Sequence, residues 1–82
     1  MSKKTVLFGS FNFGEALAFL KAGMSVRRSG WNGKTQFLQM QLPDGNSKNT
    51  LPYIFIVTEQ KQRVPWVASQ TDLLASDWKV NE

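Results

Sequence analysis

The chain has 82 residues, a net charge of +4 and a pI near 9.8, with 41% hydrophobic and 20% charged residues. This is the composition of one folded soluble domain, with no room for a second. Cys and His are both absent, which excludes thiol nucleophiles, disulfides, Cys/His metal centres and imidazole as a general base. A domain this small buries only roughly 60–65% of its unfolded surface, so it must pack well or oligomerise. No uninterrupted apolar run is longer than Tyr53–Val57, which falls far short of the ~20 residues of a membrane span. With no targeting segment at the basic start, the expected location is the cytoplasm.

Residues 1–10 read as an N-terminal arm or edge strand, with Thr5–Phe8 rich in strand formers, and residues 11–82 as a single domain. Asn12 with Glu15 three residues later forms a capping box. Phe13, Ala16, Leu17 and Leu20 follow on one helical face, and Gly23 closes the helix with Lys21 in its last turn. Phe19 lies off that stripe, either exposed or against a partner chain.

The period then changes to two. Ser25–Arg28 predicts a short strand, and Ser29–Lys34 a turn in which Asn32-Gly33 is the hairpin signal. Leu38, Met40 and Leu42 alternate with Gln39 and Gln41 in a half-buried strand. A polar loop, Pro43–Asn49, leads to Tyr53–Val57, which is apolar on both faces and so reads as a central strand. One helix covers only one sheet face, so the other calls for a second copy of the chain. Glu59–Gln62 is a turn, and Arg63–Trp66 returns as its hairpin partner, with Pro65 marking an edge. Ser69 and Asp72 form a second capping box, opening a short helix through Ala75. Trp78 and Val80 share one face of a last strand. The predicted fold is α+β, a small antiparallel sheet packed by one N-terminal helix and a short second helix.

Catalysis has little to work with. Asp72 and Asp77 are the closest acids, and in a continuous helix their spacing sets them about 140° apart, not as a facing pair. No catalytic residue, metal ligand or cofactor is assigned. Six cations stand against one acid in residues 1–41, and four against five in residues 42–82, so an anion should meet the first half.

Two segments are chemically dense. Arg27–Lys34 holds three cations, Trp31, Asn32 and two glycines, including Gly33. It can cradle a phosphate with Arg28 and Lys34 while Trp31 stacks on a base, or it can be a plain hairpin turn with a Trp pinned over it. Pro65–Asp72 groups Ser69, Gln70, Thr71 and Asp72, which suit ribose hydroxyls and base edges or simply cap a helix with Trp66 in the core. Trp78 reads as core.

The strings Phe13-Gly-Glu-Ala-Leu17, Arg28-Ser-Gly-Trp-Asn-Gly-Lys34, Pro52-Tyr-Ile54 and Val64-Pro-Trp-Val-Ala-Ser-Gln-Thr-Asp-Leu-Leu-Ala-Ser-Asp-Trp78 resemble the Thoeris anti-defence two-like domain of phages and prophages. The resemblance runs from about Phe11 to Val80. It implies a sponge that binds cyclic nucleotide immune signals without cleaving them. Those signals are cyclic ADP-ribose isomers or cyclic oligonucleotides of the CBASS type, captured in an infected bacterial host. It also implies a homotetramer with pockets between subunits, and neither membrane nor long nucleic acid as partner. On that reading Phe11, Phe13 and Trp31 stack on bases, Arg28 and Lys34 hold phosphate, Asn32 and Gly33 shape the turn, and Ser69–Asp72 meet hydroxyls. The arm Met1–Ser10 and a short loop Leu42–Leu51 depart from the family pattern. Two other readings stay open: a single-strand nucleic-acid binder using Phe11, Phe13 and Trp31, and a direct inhibitor of a host defence protein.

Overall fold

The computed structural model describes residues 9–33, 35–43 and 51–81. The expected strand Thr5–Phe8, most of the Pro43–Asn49 loop and the candidate site residue Lys34 lie outside them.

Helix α1 spans Phe13–Lys21, and strands β1 and β2 span Val26–Arg28 and Phe37–Gln41. Strands β3 and β4 span Tyr53–Val57 and Arg63–Pro65, helix α2 spans Gln70–Leu74, and strand β5 spans Trp78–Val80. All strand pairings are antiparallel, in the order β4-β3-β2-β1-β5. This is the α+β class expected. Pro65 falls on an edge strand, where its missing N–H costs no ladder bond.

The ends of α1 follow from its residues. Asn12 accepts the Glu15 N–H at 2.9 Å while the Glu15 carboxylate accepts the Asn12 N–H at 3.2 Å. At the other end Gly23 takes φ +92°, a conformation that costs glycine little. The Gly23 N–H donates to the Leu20 carbonyl and the Met24 N–H to the Phe19 carbonyl, which satisfies two orphan carbonyls. Ala16 and Leu20, from the predicted stripe, are fully buried.

Strand register decides the core. Val26 faces Leu38 on one side and Val80 on the other, and Ile56 faces Leu38. With Trp78, these residues put their side chains under α1, where Val26, Leu38 and Trp78 are fully buried. Ile54 and Ile56 pack against the same cluster. The alternate residues Tyr53, Phe55 and Val57 face the other side of the sheet. Phe55 is nevertheless only 4% exposed, with the Arg63 guanidinium 5.1 Å from its ring centre and the Tyr53 ring at 6.3 Å. The chain thus buries Phe55 itself, so this residue does not call for a second copy. Tyr53 stays 38% exposed.

Four local expectations are corrected. Asn32-Gly33 is not a tight hairpin: β1 and β2 are joined by residues 29–36, and neither Asn32 nor Gly33 takes a positive φ. The primed turn needs positive φ at both central positions, and side-chain contacts of the longer loop fix another path. Leu42 is exposed because β2 ends at Gln41. The strand expected from Ser25 begins one residue later, at Val26. Of the two readings of Phe19, plain exposure is the one corrected: it is half-buried, with its ring 5.0 Å from that of Phe11, because Phe11 pairs with Trp78 and brings the chain entry across the helix.

Candidate functional site

The two dense segments, more than thirty residues apart in sequence, meet at Arg28. Arg28 ends β1 on the core side of the sheet, directly across from Trp78. Its Nε–H donates to Asp77 Oδ1 at 2.7 Å, Nη1 to Asp72 Oδ1 at 2.9 Å, and Nη2 to Asp77 Oδ2 at 3.4 Å. The planar fork of a guanidinium suits two carboxylates at once. Asp72 Oδ1 also accepts the Trp31 indole N–H at 3.2 Å, and Asp77 Oδ2 accepts the Gly30 N–H at 2.9 Å. The Ser29 N–H donates to the Asp77 carbonyl at 3.0 Å.

The second capping box orients Asp72. Its N–H donates to Ser69 Oγ at 3.0 Å, and its own carboxylate accepts the Ser69 N–H at 3.5 Å. Its carbonyl accepts the indole N–H of buried Trp78 at 2.9 Å, which meets that ring's one polar need. Burial pushes the Asp72 carboxyl up, but hydrogen bonds from Arg28, Trp31 and Ser69 outweigh it and hold the group below its ordinary range. Asp77 is held low chiefly by Arg28, against some desolvation, with help from the Gly30 N–H. Both carboxylates raise Arg28 in turn, first through the hydrogen bonds it donates to Asp77.

Behind this ion cluster stand aromatic rings. Trp31 meets Trp78 edge-on at 5.5 Å, Trp66 meets Trp78 edge-on at 6.1 Å, and Phe13 lies 5.2 Å from Trp78 and 5.7 Å from Trp66. Trp78 is buried, as its sequence reading had it, while Phe13, Trp31 and Trp66 are half-buried. Phe13, Trp31, Arg28 and Ser69–Asp72 therefore share one region. Ser69, Gln70 and Thr71 are exposed on the first turn of α2, and Asn32 is exposed on the turn after Trp31. Gly33 packs so closely on Gln36 that a Cβ there would lie 2.6 Å from its side chain.

The placement changes several expected roles. Phe11 is 8% exposed, its ring on Phe19 and its backbone paired with Trp78, so it belongs to the core and presents no stacking face. The platform of Phe11, Phe13 and Trp31 expected of a single-strand binder is therefore not assembled. Arg28, expected to hold phosphate, is already held by two carboxylates, which leaves a net negative local charge. Neighbouring Arg27 points to the opposite sheet face, across from Lys79, so the basic run is divided by strand alternation. The helical angle between Asp72 and Asp77 has no bearing, because α2 ends at Leu74 and a bend at Ser76 precedes Asp77. The short helix expected to stop at Ala75 already carried that signal. Gly30 and Asp77, absent from the expected site, are both integral to it.

A family model for the Thoeris anti-defense 2-like domain matches residues 11–81. The protein "Thoeris anti-defense 2" of Bacillus phage SP01 is 44% identical over 82 residues, with 84% of this chain and 92% of the phage protein aligned. The chain belongs to the Thoeris anti-defense 2-like family.

Proposed function

We propose that this chain serves a phage in anti-defence by sequestering a cyclic nucleotide immune signal and leaving it chemically intact. Family membership supports the anti-defence role. The observation that carries the ligand reading is the meeting of half-buried Phe13, Trp31 and Trp66 with the exposed polar turn Ser69–Thr71, across one ion cluster. Aromatic faces suit bases, at about 1–3 kcal/mol for each base stacked. Hydroxyl and amide groups suit ribose and base edges. Asp72 Oδ2, whose hydrogen bond from the Ser69 N–H is long at 3.5 Å, is free to accept a ribose hydroxyl.

Binding here leans on stacking and hydroxyl recognition more than on Arg28, whose charge is already matched. A sponge must compete with a host receptor, and nanomolar affinity corresponds to about −12 kcal/mol. A pocket shared with a second copy of the chain reaches that more readily than an open surface. Val67 and Leu74, 88% and 82% exposed on either side of the polar turn in sequence, supply apolar surface for such an assembly. We assign a homotetramer acting in the infected host's cytoplasm.

The test is titration calorimetry against cyclic ADP-ribose isomers and cyclic dinucleotides, with native mass read alongside. The complex is then heat-denatured and the released ligand weighed. Stoichiometric binding with intact ligand returned is the expected result. Release of a cleaved product, or no binding across the panel, overturns the reading.

A further inference from the structure

We infer that Asp77 is the positioning residue of this site: it holds the turn that carries Trp31 without itself meeting the ligand. The inference rests on the ligand-binding reading above for its purpose, but its geometry stands alone. β1 ends at Arg28, and past the Ser29 N–H, which extends its pairing by one bond, residues 30–33 have no strand partner. Asp77 grips this turn at three points. Its carbonyl accepts the Ser29 N–H, its Oδ2 accepts the Gly30 N–H, and its carboxylate anchors Arg28, whose carbonyl accepts the Trp31 N–H at 3.3 Å.

The fit is close. A Cβ on Gly30 would lie 2.9 Å from Asp77 Oδ2 and 3.5 Å from Arg28 Nη2, so any side chain there would have to displace the Asp77 carboxylate. Both Asp77 oxygens accept short bonds within the protein, from Arg28 Nε at 2.7 Å and from the Gly30 N–H at 2.9 Å, whereas Asp72 Oδ2 accepts only the long 3.5 Å bond from the Ser69 N–H. Asp72 differs, because it also meets the Trp31 indole and faces the polar turn. The two carboxylates thus divide the work: Asp77 fixes the backbone of the turn, and Asp72 orients the ring at its end.

The experiment compares wild type, Asp77→Ala and Asp77→Asn, with Ile56→Val as a control for general loss of stability, since Ile56 lies on β3, separated by β2 from the strand that leads into this turn. Amide hydrogen exchange is followed for Gly30 without ligand, and affinity is measured for the tightest binder among the cyclic ADP-ribose isomers. Asp77→Ala is expected to speed Gly30 exchange at least tenfold and to weaken binding about tenfold, the scale of one charged hydrogen bond. Asp77→Asn keeps one acceptor for the Gly30 N–H and falls between. Ile56→Val leaves both readouts unchanged.

Unchanged Gly30 exchange in Asp77→Ala overturns the inference. So does an equal loss of affinity in Ile56→Val, which would make Asp77 merely stabilising. If wild type binds none of the panel, the sequestration reading falls, while the exchange data still decide whether Asp77 holds the turn.

Discussion

Replacing Arg28 by Met tests whether the guanidinium is a structural latch. Met keeps much of the apolar stem and removes the charge and all donors. Two short charge-assisted bonds are lost, at 2.7 and 2.9 Å, together with a weaker one at 3.4 Å. Hydrogen bonds to charged groups contribute about 1.5–3 kcal/mol each. The cluster is partly open, with side-chain exposures of 17% for Arg28 and 33% for Asp77, so the low end applies to each bond. Two carboxylates are also left facing one another without a counter-charge, which adds to the cost. The sum is a loss of about 3 kcal/mol. A domain of this length has roughly 4–12 kcal/mol in all, so the effect is large. Urea unfolding followed by tryptophan fluorescence reads it. With a slope near 1 kcal/mol/M for so small a protein, the midpoint should fall by about 2–3 M. Repeating the titration at several protein concentrations separates any association from folding. Arg28→Lys should recover part of the loss, because one ammonium cannot span both carboxylates. A midpoint within about 0.3 M of wild type would refute the latch and return Arg28 to the role of a free phosphate cation.

Three more outcomes are expected. Asp72 and Asp77 are both held below the ordinary aspartate value of 3.8, so their contribution to stability is complete above that pH and is lost as pH falls through the lower folded values. Melting temperature should therefore drop below pH 3.8 in wild type and drop less steeply in Asp77→Asn, as calorimetry across that range will show. Lys61 sits at φ 67° in the β3–β4 turn, where its N–H donates to the Thr58 carbonyl and the Gln62 carbonyl accepts the Thr58 N–H. Lys61→Gly should relieve left-handed strain and stabilise the protein by up to about 1 kcal/mol, a rise of roughly 4–8 °C in melting temperature. Ligand affinity should fall less than about threefold between 50 and 200 mM salt, since Arg28 is already matched by carboxylates. A slope as steep as that of a strand-binding protein would instead point to free cations at the site.

What the sequence revealed of this molecule was local, and what it concealed was spatial. Both capping boxes, the Gly23 stop and the edge position of Pro65 were legible because each depends on neighbours within a few residues. The alternation of β2 was legible because one face of the sheet is filled by a helix, while β3, apolar on both faces, read correctly as an interior strand. Asn32-Gly33 misled because its short-range preference lost to tertiary contacts: the Gly30 N–H to Asp77 and the Trp31 indole to Asp72 set the path of the loop. Arg28 misled for the same reason. Counting charge along the chain placed a basic excess in the first half, yet the sheet order sets β5 against β1 and carries Asp72 and Asp77 onto Arg28. A cation is available to a ligand only if folding leaves it unpaired, and no count along a chain records that. The aromatic residues at the same site stay partly open: Trp31 and Trp66 meet Trp78 edge-on, Phe13 meets both Trp66 and Trp78 at a tilt, and all three are half-buried. The chemistry on offer to a ligand is therefore set by topology, which paired Arg28 and spared the rings.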